Sequence, residues 1–265
     1  MSVPIALTIA GSDSGGGAGV QADLKTFAAF GVYGACAITA LTAQNTRGVF
    51  GIHEVPADFI TAQLDAVFSD LDVAAVKIGM IGNAAAIEAV VAALDRHRAR
   101  NVVLDPVMVA SSGEDLLRAD AIGGLRKLIV CSRVVTPNLF EASTLLDMPL
   151  ARDENEMRVQ ARTLLALGAG AVLIKGGHAG GPESVDFLAE GGDCLRLAAP
   201  RIDTRNTHGT GCTLSSAIAA GLAKGQELGE AVRDAKAYVS AAIAAADRLG
   251  VGTGRGPLHH FAKWW

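Results

Sequence analysis

The sequence contains few aromatic residues and few cysteines, and neither positive nor negative charge is in large excess. Aromatic side chains make up 5% of the 265 residues, the net charge is −4, and no basic tract occurs. These values disfavour nucleic acid and anionic membranes as partners. The four cysteines, at positions 36, 131, 194 and 212, show neither paired nor metal-ligand spacing, so we expect reduced thiols in a cytoplasmic protein.

Long apolar runs and internal repeats are also missing. No run is long enough to span a bilayer, and the first ten residues lack the basic region of a signal peptide, so we expect neither feature. No repeat with a period of about 20–50 residues occurs, and no low-complexity linker divides the chain. Half of the residues are apolar, which predicts one large domain over residues 1–265.

Short apolar runs alternate with helical patterns along the chain. The runs cover residues 3–10, 34–43, 73–78, 102–104, 134–135 and 171–174, and residues 184–199 are expected to form a hairpin. Helical patterns lie between these runs, for example over 84–97, where Ile87, Val90 and Leu94 share one face. The alternation predicts an α/β fold with a mostly parallel central sheet, helices on both faces, and ligands at the carboxyl ends of the strands.

A loop interrupted by glycines, residues 206–213, leads directly into an apolar helical pattern. The first turn of such a helix offers unpaired N–H groups and the positive end of the helix dipole, and Gly209 and Gly211 allow an anion to approach. The first side chain on the helix is the thiol of Cys212, where the dipole favours a thiolate. The alternative is an ordinary helix start with a buried cysteine, because two glycines alone are weak evidence.

A second glycine-rich loop, residues 11–19, follows the first apolar run and precedes a helical pattern. This is the layout of many phosphate sites, but neither the dinucleotide fingerprint nor the P-loop spacing is present. We interpret the loop as a close approach of the backbone to a small ligand. A flexible connector is the alternative.

Charged residues lie at or just beyond the ends of several predicted strands. Lys175 can reach phosphate oxygens, and Asp105 and Glu141 can hold a magnesium ion, directly or through water. Phosphoryl transfer needs this kind of charge neutralisation together with alignment of the two reactants. Taken singly, each has another explanation: a solvated strand end for Lys175, a turn-former before proline for Asp105, and a first-turn charge for Glu141.

Short motifs follow one another in a fixed order along nearly the whole chain. They are LTIAGSD at 7–13, GGAG at 16–19, QADLKT at 21–26, AQNT at 43–46, KIGM at 77–80, DPVM at 105–108, TPNL at 136–139, KGGH at 175–178, NTHGTGCT at 206–213 and GPLHHF at 256–261. Together they resemble the hydroxymethylpyrimidine/phosphomethylpyrimidine kinases of thiamine biosynthesis. The resemblance implies the three-layer α/β fold of the ribokinase-like superfamily.

The resemblance also implies a role for each matching residue. Gln44 would read the aminopyrimidine edge, because its amide offers a donor and an acceptor side by side. The remaining pyrimidine-pocket residues would be Gly11, Asp23, Met80 and Val107. The catalytic residues would be Lys175, Gly209, Thr210, Gly211 and Cys212. The ATP-binding residues would be Thr207, Asn138, Glu141, Lys175 and Lys236, and the Mg²⁺ ligands would be Asp105 and Glu141.

Two positions are notable against that background. Most ribokinase-like enzymes have an aspartate base where Cys212 stands, and this chain follows its family in having cysteine. Ser111 occupies a position where many relatives have lysine.

The implied activity is a two-step kinase reaction with MgATP. It would phosphorylate 4-amino-5-hydroxymethyl-2-methylpyrimidine and then the resulting monophosphate to the diphosphate. Pyridoxal or pyridoxine kinase activity is the nearest alternative, because that vitamin also presents a flat ring with a hydroxymethyl group. A catalytically silent pyrimidine-binding sensor is a further alternative, against which the anion-hole glycines, Lys175 and Asp105 argue. The family also implies a homodimer.

Overall fold

The structure is a computed structural model that describes residues 3–109, 113, 116, 121–177 and 180–265, so Ser111 and His178 lie outside the described residues. The strands are β1 Ile5–Ala10, β2 Tyr33–Ile38, β3 Ala40–Asn45, β4 Gly48–Glu54, β5 Val73–Ile78, β6 Val102–Leu104, β7 Val134–Val135, β8 Ala171–Lys175, β9 Glu183–Glu190 and β10 Asp193–Pro200. The helices are α1 Gly19–Ala29, α2 Ala57–Phe68, α3 Ala84–Arg96, α4 Ile122–Cys131, α5 Leu139–Leu146, α6 Glu154–Leu165, α7 Thr210–Ala223 and α8 Leu228–Ala244.

Eight strands form a sheet in the order β10-β9-β8-β7-β6-β5-β1-β2. All pairs from β2 to β8 are parallel, whereas β9 pairs antiparallel with both β8 and β10. The predicted mostly parallel sheet and the hairpin over 184–199 are therefore confirmed.

The apolar run over 34–43 is divided between two sheets. β2 belongs to the large sheet, but β3 leaves it after Thr39 and pairs with β4 in a separate two-stranded sheet. Thr39 fixes this exit, because its hydroxyl donates to the carbonyl of Met80 at 2.6 Å and its N–H to that of Ala10 at 3.1 Å. The two-stranded sheet carries Gln44 above the carboxyl ends of the large sheet.

Helix α4 is a second feature that the sequence patterns do not predict. Gly123 and Gly124 lower the helix propensity of this segment. A Cβ atom at Gly124 would lie 3.2 Å from Cγ2 of Ile87 in α3, so the glycine allows the two helices to pack closely. Tertiary packing therefore outweighs local propensity here.

The core lies in two layers, one on each face of the large sheet. One contains Ile60, Ile87, Leu128, Ala142 and Leu164, from helices α2 to α6. The other contains Phe27, Ile218 and Ala235, from α1, α7 and α8. The pleat alternates between them, since Val102 and Leu104 of β6 face the first layer and Val103 the second. Each fully buried large side chain contributes about 1.5–3 kcal/mol.

The carboxyl ends of the parallel strands bring the sequence motifs to one edge of the sheet. Gly11 follows β1, Met80 follows β5, Asp105 follows β6, and Lys175 ends β8. Loops 11–19 and 206–213 end at the N-termini of α1 and α7, above the same edge. Among the described residues, no helix combines the length and apolar character needed to cross a bilayer.

Candidate active site

A cavity of about 610 Å³ lies at this edge of the sheet. All but one of the predicted site residues line it: Gly11, Gln44, Met80, Asp105, Val107, Asn138, Glu141, Lys175, Thr207, Gly209, Thr210, Gly211, Cys212 and Lys236. The exception is Asp23.

Lys175 and Asp105 form an ion pair in the middle of the cavity. Nζ of Lys175 lies 2.6 Å from Oδ1 of Asp105 and 3.8 Å from Oε2 of Glu141. Burial opposes the charge of Lys175, but Asp105 and Glu141 more than offset it and hold its pKa above the usual range. Thr136 and Ser215 donate to the two carboxylate oxygens of Asp105 at 3.2 and 3.3 Å. Lys175 is thus a charged group at neutral pH, held where phosphate oxygens can replace a carboxylate partner.

Asn138 and Glu141 form a capping box at the start of α5. Oδ1 of Asn138 accepts from the N–H of Glu141 at 2.9 Å, and Oε2 of Glu141 accepts from the N–H of Asn138 at 2.7 Å. Burial, together with the charge of Asp105, raises the pKa of Glu141 to about 7, although Lys175 opposes the rise. The Asn-x-x-Glu pattern therefore has a structural role and also places a carboxylate beside Lys175.

The N-terminus of α7 points at the ion pair. Gly209 adopts a left-handed conformation with φ of 84°, and its α-hydrogen packs against the carbonyl of Gly17. A Cβ atom at Gly211 would lie 3.3 Å from Nζ of Lys175 and 3.5 Å from Oδ2 of Asp105. Any side chain at Gly211 would therefore enter the space where helix N–H groups, a cation and a carboxylate converge. This arrangement suits an anion that carries a metal ion.

Cys212 is partly buried and lines the cavity with residues of both glycine loops. Burial raises the pKa of its thiol to about 11; Lys77 and a backbone hydrogen bond with Gly19 oppose the rise, and Asp23 and Asp105 add to it. Desolvation thus outweighs the helix dipole, from which the sequence favours a thiolate. The unliganded protein carries a neutral thiol here at neutral pH.

Gln44 extends from β3 and lines the cavity. Its Oε1 accepts from the hydroxyl of Thr42 at 3.1 Å, while its backbone N–H donates to Oγ of Ser14 at 2.8 Å. Below it, a Cβ atom at Gly11 would lie only 3.0 Å from Sδ of Met80. Met80 therefore packs directly against Gly11, where any side chain would have to displace it.

Asp23 differs from the expectation that it lines the pocket. Its side chain is fully buried behind the cavity wall, where Thr8 donates to Oδ2 at 2.6 Å and Ser216 donates to Oδ1 at 2.6 Å. Lys77 completes the set, with Nζ 2.9 Å from Oδ2. Because these partners occupy both oxygens, Asp23 supports the wall instead of facing a ligand.

Lys77 is a site residue that the sequence analysis misses. It lines the cavity although its side chain is fully buried. Burial opposes its charge, but Asp23, Cys212 and Asp105 hold its pKa above the usual range. The signal was present in the sequence, since Lys77 interrupts an otherwise apolar strand.

Two further residues were not predicted. Asp13 accepts from the N–H groups of Gly15, Gly17 and Ala18 at 2.8–3.0 Å and pairs with His208. Asp186 in β9 lies 2.6 Å from Nζ of Lys236 and accepts from the N–H of Gly176 at 2.9 Å. The contact of Asp13 with His208 spans 195 positions and that of Asp186 with Lys236 spans 50, and no local pattern indicates either contact.

The donor set fits a magnesium ion. Within the described residues, no group of three or more His, Cys, Asp or Glu side chains is arranged to hold a metal. The carboxylates of Asp105 and Glu141 both lie within 4 Å of one lysine nitrogen. Mg²⁺ is commonly held by one or two carboxylates together with substrate phosphates, so this pair is sufficient.

Solved structures with the same architecture are small-molecule kinases. A pyridoxal kinase of Bacillus subtilis, solved as an ADP complex, is 40% identical, with a TM-score of 0.91 over 99% of both chains. A phosphomethylpyrimidine kinase of Clostridium difficile is 42% identical, with a TM-score of 0.81 over 91% of this chain and 100% of that one. The fold is therefore that of a ribokinase-like kinase.

The chain belongs to the phosphomethylpyrimidine kinase family, which it matches over residues 13–259. It is 60% identical to the hydroxymethylpyrimidine/phosphomethylpyrimidine kinase of Rhizobium meliloti over 98% of both chains. It is 54% identical to the enzyme of that name from Salmonella typhimurium, also over 98% of both. The family predicted from the ordered motifs is confirmed.

Proposed function

We propose that one site in this chain binds ATP and the pyrimidine end to end and carries out both phosphoryl transfers. The chain is a hydroxymethylpyrimidine/phosphomethylpyrimidine kinase of thiamine biosynthesis, as its family and its close relatives establish. One observation carries the single-site proposal. The approach of Gly211 to within side-chain reach of both Lys175 and Asp105 leaves one place for the transferring group.

The phosphates of ATP are proposed to occupy the half of the cavity around Lys175. Its ammonium exchanges a carboxylate partner for phosphate oxygens, and the first-turn N–H groups of α7 stabilise charge on the transferring group. Thr207, Asn138 and Glu141 also line the cavity, and we assign them to this half. Lys236, which pairs with Asp186, also lines the cavity and would supply a second cation.

Asp105 and Glu141 are the residues that would hold magnesium. The ion would neutralise charge on the phosphate oxygens as it develops. Glu141 has a pKa near 7, so its buried carboxyl can lose its proton when a cation arrives. The protein's own part is to keep both carboxylates beside Lys175 in the cavity.

The pyrimidine is proposed to lie between Gln44 and the floor formed by Gly11 and Met80, with Val107 at its side. The amide of Gln44 would pair with the ring nitrogen and the exocyclic amine, one as donor and the other as acceptor. The hydroxymethyl group would then point toward Cys212 and the N-terminus of α7. In the second transfer, the phosphate made in the first becomes the nucleophile at the same place.

Pyridoxal kinase activity is the second candidate, and structural similarity favours it. The pyridoxal kinase of Staphylococcus aureus, solved with AMP-PCP and pyridoxal, is 33% identical with a TM-score of 0.90 over 99% of this chain and 95% of that one. The family membership, by contrast, gives no support to a catalytically silent sensor.

The decisive experiment measures ATP consumption with each candidate acceptor and follows the products by phosphorus NMR. We expect the hydroxymethylpyrimidine to give a monophosphate and then a diphosphate, and pyridoxal to react at least about tenfold less efficiently in kcat/KM. A product that stops at the monophosphate, or a preference for pyridoxal, would contradict the proposal.

We also propose one kinase domain over residues 1–265, a homodimer, and a cytoplasmic location. Support for the dimer comes from Leu41 and Phe50 of the two-stranded sheet, whose apolar side chains are 49% and 68% exposed. The four cysteines are free thiols, which agrees with a reducing compartment. A single cooperative unfolding transition, light scattering and cell fractionation test the three statements in turn.

A further inference from the structure

A buried ion pair lies at the wall of the cavity. Lys77 of β5 and Asp23 of α1 are 2.9 Å apart, and both side chains are 0% exposed. A buried pair of this kind contributes little more stability than apolar side chains of the same size, because desolvation of two charges offsets their attraction. Because stability does not explain the pair, we consider a role for it in the chemistry of the site.

The pair is attached to the helix that carries the thiol. Ser216 donates to Oδ1 of Asp23 at 2.6 Å, and Ser216 follows Cys212 by four residues in α7. Residues four apart lie on the same face of a helix, one turn from each other. Thr8 of β1 donates to Oδ2 of Asp23 at 2.6 Å. Four elements thus fix the ammonium of Lys77 in the wall of the cavity that Cys212 also lines.

The backbone beside the ammonium is kept free of side chain. A Cβ atom at Gly79 would lie 2.7 Å from Nζ of Lys77, closer than real Cβ contacts. Among the described residues, Asp23 is the hydrogen-bond partner of Lys77, whose ammonium has three N–H donors. Lys77 also lines the cavity together with Gly19 and Cys212. The ammonium is therefore positioned to act on a group at the cavity floor.

The charged groups that face Cys212 come from several elements. Lys77 stabilises a thiolate, and Asp23 and Asp105 destabilise it, as does burial, which has the largest effect. Lys175 also faces the sulfur from the phosphate side. Lys175 is committed to Asp105 and, on our proposal, to phosphate, which leaves Lys77 as the cation that serves the thiol.

We propose that Lys77, held in place by Asp23, is a positioning residue that makes the thiolate of Cys212 accessible for the first phosphoryl transfer. Before that step the thiol loses its proton to solvent. The hydroxymethyl proton then passes to the thiolate sulfur as an oxygen–phosphorus bond forms to the γ-phosphoryl group and the bond from that group to ADP breaks. The second transfer uses a phosphate nucleophile that needs no base, so Lys77 serves it little. The inference rests on the proposed function, but its first test does not use activity.

The first test is alkylation of ligand-free protein by iodoacetamide, followed at the Cys212 peptide by mass spectrometry over a range of pH. Cys131 is exposed and serves as the internal reference. Lys77→Met should slow alkylation of Cys212 by about tenfold, which corresponds to one pKa unit. Asp23→Asn should accelerate it, because an opposing negative charge is removed while the amide still accepts from Lys77.

Thr8→Val is the matched control. It removes a hydrogen bond from the same carboxylate without changing any charge, so the alkylation rate should stay within about twofold. A merely structural network predicts the same direction of change for all three variants, and that result would overturn the proposal. If Lys77→Met does not fold, an unchanged or slower rate in Asp23→Asn overturns it equally.

The second test is a double-mutant cycle on single-turnover rates. Lys77→Met should slow the first transfer by about tenfold or more and the second transfer much less. In a Cys212→Ala background, Lys77→Met should cause no further loss in the first transfer, because the residue acts through the thiol. If the double variant instead loses the product of the two single-variant factors, Lys77 acts independently of Cys212, contrary to the proposal. Loss of both activities with the alkylation pattern intact would instead count against the proposed function.

Discussion

Asp13 and His208, 195 positions apart in the chain, share a buried hydrogen bond of 2.8 Å between Oδ2 and Nε2. The bond joins the glycine loop that precedes α1 to the glycine loop that precedes α7. His208 and the N–H groups of Ala18 and Gly15 lower the pKa of Asp13 against the opposing effect of burial. The bond thereby fixes the relative positions of the two loops, one on the substrate side of the site and one on the phosphate side.

The first prediction concerns this contact. His208→Ala leaves Asp13 without its side-chain partner, so we expect thermal stability to fall by about 1.5–3 kcal/mol, the usual range for a hydrogen bond to a charged group. Both phosphoryl transfers should slow, since the two loops are no longer held in fixed relative positions. His208→Gln can restore a donor and should recover part of both properties, as thermal melts and steady-state kinetics will show. Equal losses in the two variants would mean that the imidazole ring matters for another reason.

The second prediction concerns specificity. Gln44→Leu leaves polar groups of the pyrimidine unpaired in a closed pocket, which costs about 1–3 kcal/mol for each group. We therefore expect kcat/KM for the pyrimidine to fall while background ATP hydrolysis stays level. Thr42→Val removes only the hydroxyl that donates to Oε1 of Gln44 and should have a smaller effect. Unchanged kinetics in Gln44→Leu would remove Gln44 from the recognition site.

The third prediction concerns phosphate charge. Lys175→Met keeps the aliphatic stem but removes the cation, so kcat/KM for ATP should fall by about 100-fold, the usual loss for one transition-state donor. We expect the loss in the free energy of unfolding to be smaller than this loss in catalytic free energy, because Glu141 can take up a proton when its cationic neighbour is lost. Lys127→Met removes an exposed ion pair with Glu88 and should leave the kinetics unchanged. An early-melting Lys175→Met would assign the lysine a structural role.

The fourth prediction separates the two transfers. Cys212→Ala should slow phosphorylation of the alcohol by about 100-fold, a typical contribution of a general base, and that of the monophosphate much less. Gly211→Ala should slow both, because its Cβ atom would meet Lys175 and Asp105. Single-turnover rates of each step decide the matter. Equal losses in the two steps for Cys212→Ala would make the thiol part of the anion hole instead of a base.

The fifth prediction concerns pH and the C-terminal segment. His260 is buried and shares a hydrogen bond of 3.0 Å with the hydroxyl of Thr213 in α7. Burial, with Lys25 nearby, lowers the pKa of His260 to about 4. As the pH falls below about 6.5, the unfolded chain takes up a proton that the folded chain does not accept until about pH 4. The free energy of unfolding should therefore fall over this window, by roughly 3 kcal/mol at most.

The control for this effect is a second histidine. His260→Gln should flatten the dependence of unfolding free energy on pH, whereas His53→Gln, at an exposed position of β4, should leave it unchanged. Denaturant titrations at several pH values measure both. A steep pH dependence that survives in His260→Gln would place its origin elsewhere.

The sequence predicts the parts of the site that follow directly from strand ends. Asp105 and Lys175 end apolar runs, and parallel strands bring such ends together whatever the details of packing. The contacts of Asp13 with His208 and of Asp186 with Lys236 depend on how loops and helices dock, which no local pattern encodes. Asp23 shows a limit of family resemblance as a guide to where a side chain points. Family resemblance places it near the substrate, but only the packing of α1 against α7 reveals that its carboxylate faces inward.

Helix α4 and the two-stranded sheet mark the limits for the fold. The helix contains two adjacent glycines that local propensity disfavours, and its packing against Ile87 is a tertiary effect. Strand β3 buries Ala40 and Thr42 and exposes Leu41, the reverse of the usual apolar pattern, and β4 is exposed at most of its positions. Neither element produces a clear period, so a pattern-based prediction passes over both.

The separation of β3 and β4 from the large sheet has a consequence for how such enzymes diversify. Gln44 stands on a small appendage, whereas Lys175, Asp105 and Gly211 stand on the large sheet and on α7, which packs against it. Substitutions on the appendage can alter the ring that is accepted without disturbing the machinery that handles ATP. The acceptor specificity of such enzymes can therefore change through substitutions in this small sheet. Residues 40–54 are the segment to exchange when a new acceptor is wanted.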